Sequence, residues 1–230
     1  MIKRIVLTGG PGSGKTSVLE KINQVYSSEG YKVIIVPETA TELMNNGITF
    51  KDGSITLVDF QELVMRLQLA KEEVVDRTIE LLGEHENVIV VYDRGTIDNT
   101  AYINKEEFEE ILARLNNVKS FTDLLNKYDL VINLVGREDF YTTDNNKARS
   151  ESSSEALKLG DATLKCWLGH KTVKIVMPKD TVEEKISEVL NIINDSLALK
   201  QVKRQAKYLV DLSKTDIDFI REHGKAMHIE

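Results

Sequence analysis

The sequence predicts an α/β fold, a doubly wound and mostly parallel five-stranded sheet with helices packed on its faces. Three observations predict it. Short apolar runs recur at Ile5–Leu7, Val33–Val36, Val88–Tyr92, Leu130–Val135 and Val173–Val176. Runs such as Val33-Ile34-Ile35-Val36 are β-branched and continuous rather than alternating, which suits a parallel strand buried on both faces. Between the runs lie stretches of helical periodicity, and the first run passes straight into a glycine-rich loop. Strands alternating with helices in this way imply right-handed crossovers, with ligands lying off the C-terminal ends of the strands.

The elements follow in order. Residues 3–8 form the first strand and 15–29 the first helix, whose apolar face is Val18, Leu19, Ile22 and Val25, with Gly30 closing it. The second strand ends at Pro37-Glu38. After a loop near 45–54 containing Gly and Asn, residues 56–82 carry the longest helical period, through Leu57, Phe60, Leu63, Val64, Leu67 and Val74. The third strand ends in Asp93-Arg94-Gly95. Residues 141–170 break the pattern, being polar and charged with both signs. Their place between strands four and five suits a lid, while composition alone fits a solvated connection with one helix equally well. Beyond about residue 198 the character changes again. Gln201–Val210 reads as a strand with basic residues, and residues 214–230 end without a capped element. The sequence therefore predicts a main domain over 1–197 and the incomplete start of a second over 198–230.

Composition limits the function classes. The chain has 230 residues, 41% hydrophobic and 29% charged, with no run near the roughly 18 apolar residues of a membrane helix. No membrane span is expected. The N-terminal apolar stretch leads directly into the glycine-rich loop, so it reads as a core strand and not a secretory signal, and a cytoplasmic protein is expected. Cys166 is the single cysteine, which excludes an internal disulfide and a cysteine zinc site; it reads as a helix-face residue. A net charge of -7 argues against general nucleic-acid binding, which needs a basic field. No internal repeat is visible, and Ser152–Ser154 is too short for a flexible linker.

Residues 9–16, GGPGSGKT, fit the phosphate-binding pattern G-x-x-x-x-G-K-[ST] position for position. This makes the chain a P-loop nucleotide-binding protein. In a strand-loop-helix setting, Gly9, Gly10, Pro11, Gly12, Ser13 and Gly14 turn successive N–H groups toward one anion, backed by the helix dipole. Gly9, Gly12 and Gly14 lack a Cβ and so permit the tight turn and close approach. Lys15 is expected to reach the β and γ phosphates of ATP or GTP, Thr16 to ligate Mg²⁺, and Ser17 to bond a phosphate oxygen.

The strand ends supply the remaining chemistry. Phosphoryl transfer rests on positioning and charge neutralisation, so a site needs a cation, an acceptor-orienting carboxylate and arginines. Asp93 is assigned to Mg²⁺ and Glu38 to the acceptor hydroxyl as base or hydrogen-bond acceptor, with the reverse assignment open. Glu38 could instead serve the next helix terminus. Arg94 is expected to bind acceptor or phosphate, and Asp98 an acceptor hydroxyl, or each to form an ion pair within its loop. Arg149, inside the expected lid, is the candidate to close over the triphosphate, with Arg137 a second candidate. The letters Asn126-Lys127-Tyr128-Asp129 match a guanine-reading N-K-x-D motif but precede a strand where that motif follows one, so no base preference is taken from them.

With those residues in place, the chain resembles the AAA_28 group of P-loop proteins, which includes the ribosylnicotinamide kinase domain of NadR and the nucleotide-binding domain of TRPL translocation defect proteins. The resemblance covers about residues 1–197. It rests on GGPGSGKTS, VPETATEL, VVYDRGTIDNTAY, YDLVINL, YTTDNNKARSES and TLKCWLGH, the last two looking closer to the translocation defect branch. Deoxynucleoside kinases are similar more distantly, with a Glu after strand two and an acid-Arg pair after strand three. The resemblance implies a CYTH-like domain at the C-terminus, with residues 203–210, KRQAKYLV, as its first strand. The carboxylates of the catalytic E-x-E-x-K pattern align with Lys203 and Gln205, leaving Lys207, so no triphosphatase activity is implied.

These readings imply a small-molecule kinase acting on a nucleoside-like hydroxyl, or an ATP- or GTP-binding switch reporting to a C-terminal domain. A third reading, binding of an anionic lipid or polyphosphate through that domain, rests on Lys203, Arg204 and Lys207 alone.

Overall fold

A computed structural model describes residues 1–83, 86–115, 120–136 and 153–212, with side chains in the last stretch described over 157–198. The chain divides into two units, Met1–Leu190 and Asn191–Glu230. The first holds a five-stranded sheet of order β2-β3-β1-β4-β5, where β1 is Ile2–Thr8, β2 Lys32–Val36, β3 Val88–Asp93, β4 Leu130–Leu134 and β5 Val173–Val176. All four pairings are parallel, so the sheet is wholly rather than mostly so. The continuous apolar strands β3 and β4 lie inside the sheet, and the more exposed β2 and β5 lie at its edges.

Helices α1, Lys15–Ser28, and α3, Leu57–Leu82, match the expected bounds closely, but Leu63 and Val74 of the expected α3 period are exposed, and its buried face runs instead through Phe60, Val64, Met65, Val75 and Ile79. Thr56 caps α3 by accepting from the Asp59 N–H at 3.0 Å, and Gly83 ends it. Four further elements occupy stretches left unassigned by periodicity. They are α2, Thr39–Asn45; a 3-10 turn, Thr96–Ala101; α4, Lys105–Arg114; and α5, Phe121–Asn126. All are short, which leaves too few turns for an apolar stripe to show.

The register places the site. Leu7 pairs with Asp93 and Thr8 with Asn133, so the chain leaves β1 at Gly9 beside the C-terminal ends of β3 and β4. Val36 pairs with Tyr92, so Pro37-Glu38 leaves the same edge of the sheet. The main core contains Val6, Val90, Tyr92, Ile97, Tyr128 and Trp167.

Two expectations meet the described residues. Of the expected lid over 141–170, residues 153–170 are described. Arg137 and Arg149 lie outside the described residues, as does everything from 137 to 152. Helix α6, Ser153–Cys166, is followed by a fully buried Trp167 and by His170 at 6% exposure. His170 Nδ1 accepts from the Thr172 N–H at 3.1 Å, so its Nε2 donates to the Tyr128 carbonyl at 3.0 Å. Trp167 and His170 of TLKCWLGH therefore anchor the end of the stretch in the core, while Leu168 is exposed.

Second, Gln201–Val210 is helical, not a strand. It lies in α7, Val182–Leu212, which supplies the described part of the second unit. No Gly or Pro interrupts this stretch, and Gln, Lys, Arg, Ala and Leu all favour helix, so nothing in it ends the helix.

Three of the four residues resembling a guanine-reading motif are absorbed structurally. Lys127 Nζ lies 2.6 Å from Glu72 Oε2, Tyr128 OH donates to Glu72 Oε1 at 2.7 Å, and Asp129 Oδ2 accepts from the Arg4 N–H at 2.8 Å.

Candidate active site

The glycine-rich loop is shaped by its backbone. A Cβ on Gly9 would stand 2.2 Å from the Leu134 carbonyl oxygen, so the turn out of β1 closes only without a side chain. Gly14 precedes α1 at φ 88 and no side chain caps the helix, leaving its first-turn N–H groups available to an anion. Lys15 is 9% exposed, with Nζ 3.2 Å from the carbonyls of both Gly9 and Gly10. Burial, helped by the Arg94 charge, outweighs Asp93, Glu38 and Asp98 and lowers the Lys15 ammonium to about 8. Thr16 and Ser17 are exposed on the first turn of α1.

Opposite stand the ends of β2 and β3. Glu38 sits at the N-terminus of α2, but its carboxylate does not cap the backbone there. It accepts from Arg94 Nε at 2.7 Å and from Thr41 Oγ1 at 2.9 Å. Burial opposes its charge, yet Arg94, Lys15 and the Thr41 hydroxyl together hold its carboxyl down to about 2. Arg94 has φ 69, the one positive φ at a non-glycine among the described residues, a conformation that costs about 1–2 kcal/mol. Its Nη1 is buried without a hydrogen-bond partner. Asp93 Oδ1 is likewise buried and unpartnered. Burial, reinforced by Glu38 and Asp98, outweighs Lys15 and Arg94 and pushes the Asp93 carboxyl up to about 6.

Asp98 lines the cleft that these groups share and is held by its own loop and by its neighbours. At 2% exposure its Oδ1 accepts from Thr8 Oγ1 at 2.5 Å and Trp167 Nε1 at 3.0 Å, while Oδ2 accepts from the Gly95 N–H at 2.8 Å. These bonds tie the loop after β3 to β1 and to the end of α6. Asp98 thus organises the loop that presents Asp93 and Arg94, with both oxygens already engaged.

These groups face one cleft of about 710 Å³, lined by Gly12 to Ser17, Glu38, Asp93, Arg94 and Asp98. Its far wall is apolar, formed by Met44, Phe50, Phe60 and Val64. Sequence reasoning missed this wall, and with it Gln61. That side chain is 3% exposed, lines the cleft and makes no hydrogen bond among the described residues. A signal existed, since Gln61, Gln68 and Glu72 are polar residues spaced along the buried face of α3. At the other end Lys185, from the first turn of α7, donates to the carbonyls of Ser13 at 3.2 Å and Val135 at 3.0 Å.

The residues fit a divalent cation held jointly with phosphate. The unpartnered Asp93 Oδ1 and the exposed Thr16 hydroxyl are hard oxygen donors in the same cleft. No cluster of three His, Cys, Asp or Glu able to hold a metal occurs among the described residues, so phosphate oxygens would have to complete the shell.

The AAA_28 family profile, an AAA domain, matches residues 4–185. The chain belongs to the AAA_28 family. No curated protein sequence matches it significantly. Among solved structures, this AAA_28 protein is similar to deoxyadenosine kinase from M. mycoides with bound dATP, at TM-score 0.55 and 16% identity over 84% of this chain and 99% of that one. It is also similar to thymidylate kinase from Ehrlichia chaffeensis, at TM-score 0.52 and 14% identity over 84% and 98% of the two chains. These likenesses establish a fold shared with nucleoside and nucleotide kinases.

Proposed function

We propose that this AAA_28 protein is a kinase that transfers the γ-phosphate of ATP or GTP to a hydroxyl of a nucleoside-like acceptor. The observation that carries the reading is the Glu38–Arg94 pair, which shares one cleft with Lys15 and with an apolar wall. A nucleotide switch needs the loop, Lys15 and a cation site. It has no use for a carboxylate held ionised beside a pocket lined by Phe50, Phe60 and Val64. Gln61 adds a donor and an acceptor on that wall, which suits the polar edge of a base lying between apolar side chains. The kinship in fold with deoxyadenosine and thymidylate kinases accords with such an acceptor.

In this reading the loop N–H groups and Lys15 hold the triphosphate. Arg94 Nη1, unpaired and buried, faces charge that develops on the transferred group. Glu38 orients the acceptor hydroxyl by accepting its hydrogen bond, a role for which a carboxyl held ionised by Arg94 is suited, and takes the proton only as the hydroxyl oxygen gives it up in the transition state. Asp93 and Thr16 would hold Mg²⁺, which supplies neutralisation of phosphate charge. The lid role of Arg149 or Arg137 belongs to this proposal as well.

One observation favours the alternative, an ATP- or GTP-dependent switch. Lys185 joins the carbonyl of Ser13 in the phosphate loop to the first turn of α7, and α7 runs on into the second unit. Any CYTH-like character of that unit, and with it an anionic partner, would belong to this reading.

The test is incubation with Mg-ATP or Mg-GTP, with and without a pool of nucleosides and vitamin ribosides, with products followed by mass spectrometry. A phosphorylated acceptor that disappears in Glu38→Gln is expected. Bound nucleotide, slow hydrolysis and no modified acceptor would overturn the kinase reading in favour of the switch.

A further inference from the structure

The Glu38–Arg94 bond is one link between the loops after β2 and β3; a second runs behind it, inside the core. Thr39, next to Glu38, donates from its hydroxyl to Gln68 Oε1 at 2.6 Å. Gln68 Nε2 donates to Glu72 Oε1 at 3.1 Å. Tyr128 OH donates to the same oxygen at 2.7 Å and accepts from the Thr96 N–H at 3.1 Å, two residues beyond Arg94. Thr39, Gln68, Glu72, Thr96 and Tyr128 are all 4% exposed or less. Lys127 Nζ, 2.6 Å from Glu72 Oε2, balances the buried charge.

The result is a closed ring. One side is the ion pair facing the cleft, and the other is a buried chain from Thr39 through Gln68, Glu72 and Tyr128 to Thr96. A buried ion pair of this kind is weak evidence for stability, because desolvation offsets its attraction and apolar residues of equal volume would pack at least as well. What it supplies is direction. Every donor in the chain points toward Glu72, so each hydrogen bond has one satisfiable orientation and the two loops are fixed relative to α3. The positive φ of Arg94 adds a reason, since a strained residue persists only where its surroundings over-determine it.

We propose that Glu72 and Tyr128 are positioning residues, holding the loop of Glu38 and the loop of Arg94 at the separation at which Arg94 Nε–H meets Glu38 Oε1. The purpose of that separation rests on the kinase reading; the coupling does not. Loss of the Tyr128 hydroxyl frees Thr96, and Glu72→Gln weakens the acceptor that both arms share and sets an amide against Lys127, so the ion pair opens more often although neither residue touches it.

The test is solvent exchange of the Arg94 Nε proton, measured by NMR on ¹⁵N-arginine-labelled full chain. Tyr128→Phe and Glu72→Gln are compared with wild type and with Ile22→Ala, a core truncation in α1 outside the ring. Exchange about tenfold faster in the two ring variants is expected, because Tyr128→Phe loses the hydroxyl's bonds to Glu72 and to the Thr96 N–H and Glu72→Gln loses the ion pair to Lys127. Ile22→Ala should change it by less than about twofold at comparable loss of Tm. Unchanged exchange in Tyr128→Phe overturns the proposal, and so does equal acceleration in Ile22→Ala. Tyr128→Phe keeps the ring that packs edge-on against Tyr92 and Trp167, so it decides the matter even where Glu72→Gln fails to fold. In parallel, kcat for the phosphorylated acceptor should fall about tenfold in Tyr128→Phe with nucleotide Kd unchanged. A wild-type protein that phosphorylates nothing overturns the kinase reading alone, and the exchange comparison still decides the positioning.

Discussion

Arg94 Nε donates to Glu38 Oε1 at 2.7 Å, joining the end of β3 to the end of β2 across 56 residues of sequence. The bond orients the carboxylate toward the cleft and fixes its ionisation at once. Glu38→Gln keeps the shape and most of the hydrogen bonding while removing the base. In the kinase reading kcat should fall roughly 10²–10⁴-fold, the usual contribution of a positioned general base. Nucleotide affinity should stay within about threefold, because Glu38 does not belong to the phosphate loop. Steady-state kinetics with the identified acceptor and calorimetry with Mg-nucleotide check the two halves separately.

The same carboxylate should mark the acid stability of the protein. Glu38 is depressed from its ordinary 4.5 to about 2, so its contribution is fully present above 4.5 and is lost as pH falls toward 2. Asp93 acts in the opposite sense. Raised from 3.8 to about 6, it contributes below 3.8 and loses that contribution as pH rises through 6. Urea unfolding between pH 2.5 and 7 should therefore show the gap between wild type and Glu38→Gln widening with pH up to 4.5 and flat above it. Asp93→Asn should gain on wild type as pH rises from 3.8 to 6. Parallel curves for Glu38→Gln and wild type would show that Arg94 does not hold the carboxylate ionised in solution.

The boundary between what the sequence revealed and what it hid follows the range of the interactions. The phosphate loop was legible because Gly9, Gly14, Lys15 and Thr16 are neighbours whose roles depend on local backbone geometry. The strands were legible because burial on both faces leaves continuous apolar runs in β3 and β4. The pairing of Glu38 with Arg94 was not visible, since the sequence offers Arg94 an ion pair only within its own loop; register decides the pairing across loops, and register is a long-range property. Asp98 looked like a ligand group because an acidic residue near a strand end invites that reading; its bond to Trp167, 69 positions away, left no trace in the sequence. The apolar wall and Gln61 escaped because α3 reads as an ordinary amphipathic helix, whose buried face does not announce whether it meets core or cleft. Val202, Tyr208 and Val210 suggest a strand over Gln201–Val210, but the absence of any break after Val182 carries more weight and the helix continues.

Lys15 gives a pH test of the phosphate loop itself. Its ammonium is lowered from 10.5 to about 8 in the free protein. Bound phosphate stabilises the charged form, so the pKa in the complex is higher and binding takes up a proton above pH 8. Nucleotide affinity should therefore fall as pH rises through 8, by up to about tenfold per pH unit, until the pKa of the complex is reached. Lys15→Met should abolish this dependence and weaken binding by roughly 10²-fold, the value of a charged hydrogen-bonding group of about 3 kcal/mol. Calorimetric titrations from pH 7 to 9.5 in buffers of differing ionisation enthalpy measure both the affinity and the proton taken up.

Gly95 links the site to the only tryptophan in the chain. A Cβ on Gly95 would lie 2.9 Å from Trp167 Cη2 and Cζ2 and 3.1 Å from Val6 Cγ2, between a fully buried ring and the central strand β1. The backbone of Gly95 is extended, at φ -108, so the obstacle to alanine is crowding alone. Trp167 cannot retreat without breaking its 3.0 Å bond to Asp98, the residue whose other oxygen holds the Gly95 N–H. Gly95→Ala should therefore cost about 1–3 kcal/mol of stability, the range for overpacking a tight core. It should also red-shift the Trp167 emission as the indole moves and its N–H loses the carboxylate. Gly14→Ala is the comparison, since a Cβ there meets nothing closer than Lys185 Cδ at 4.0 Å but must adopt φ 88. It should weaken nucleotide binding while leaving Trp167 emission unchanged. Denaturant unfolding followed by the same fluorescence reads both variants, and an unshifted Gly95→Ala spectrum at wild-type stability would mean that Trp167 does not pack against the loop carrying Asp93 and Arg94.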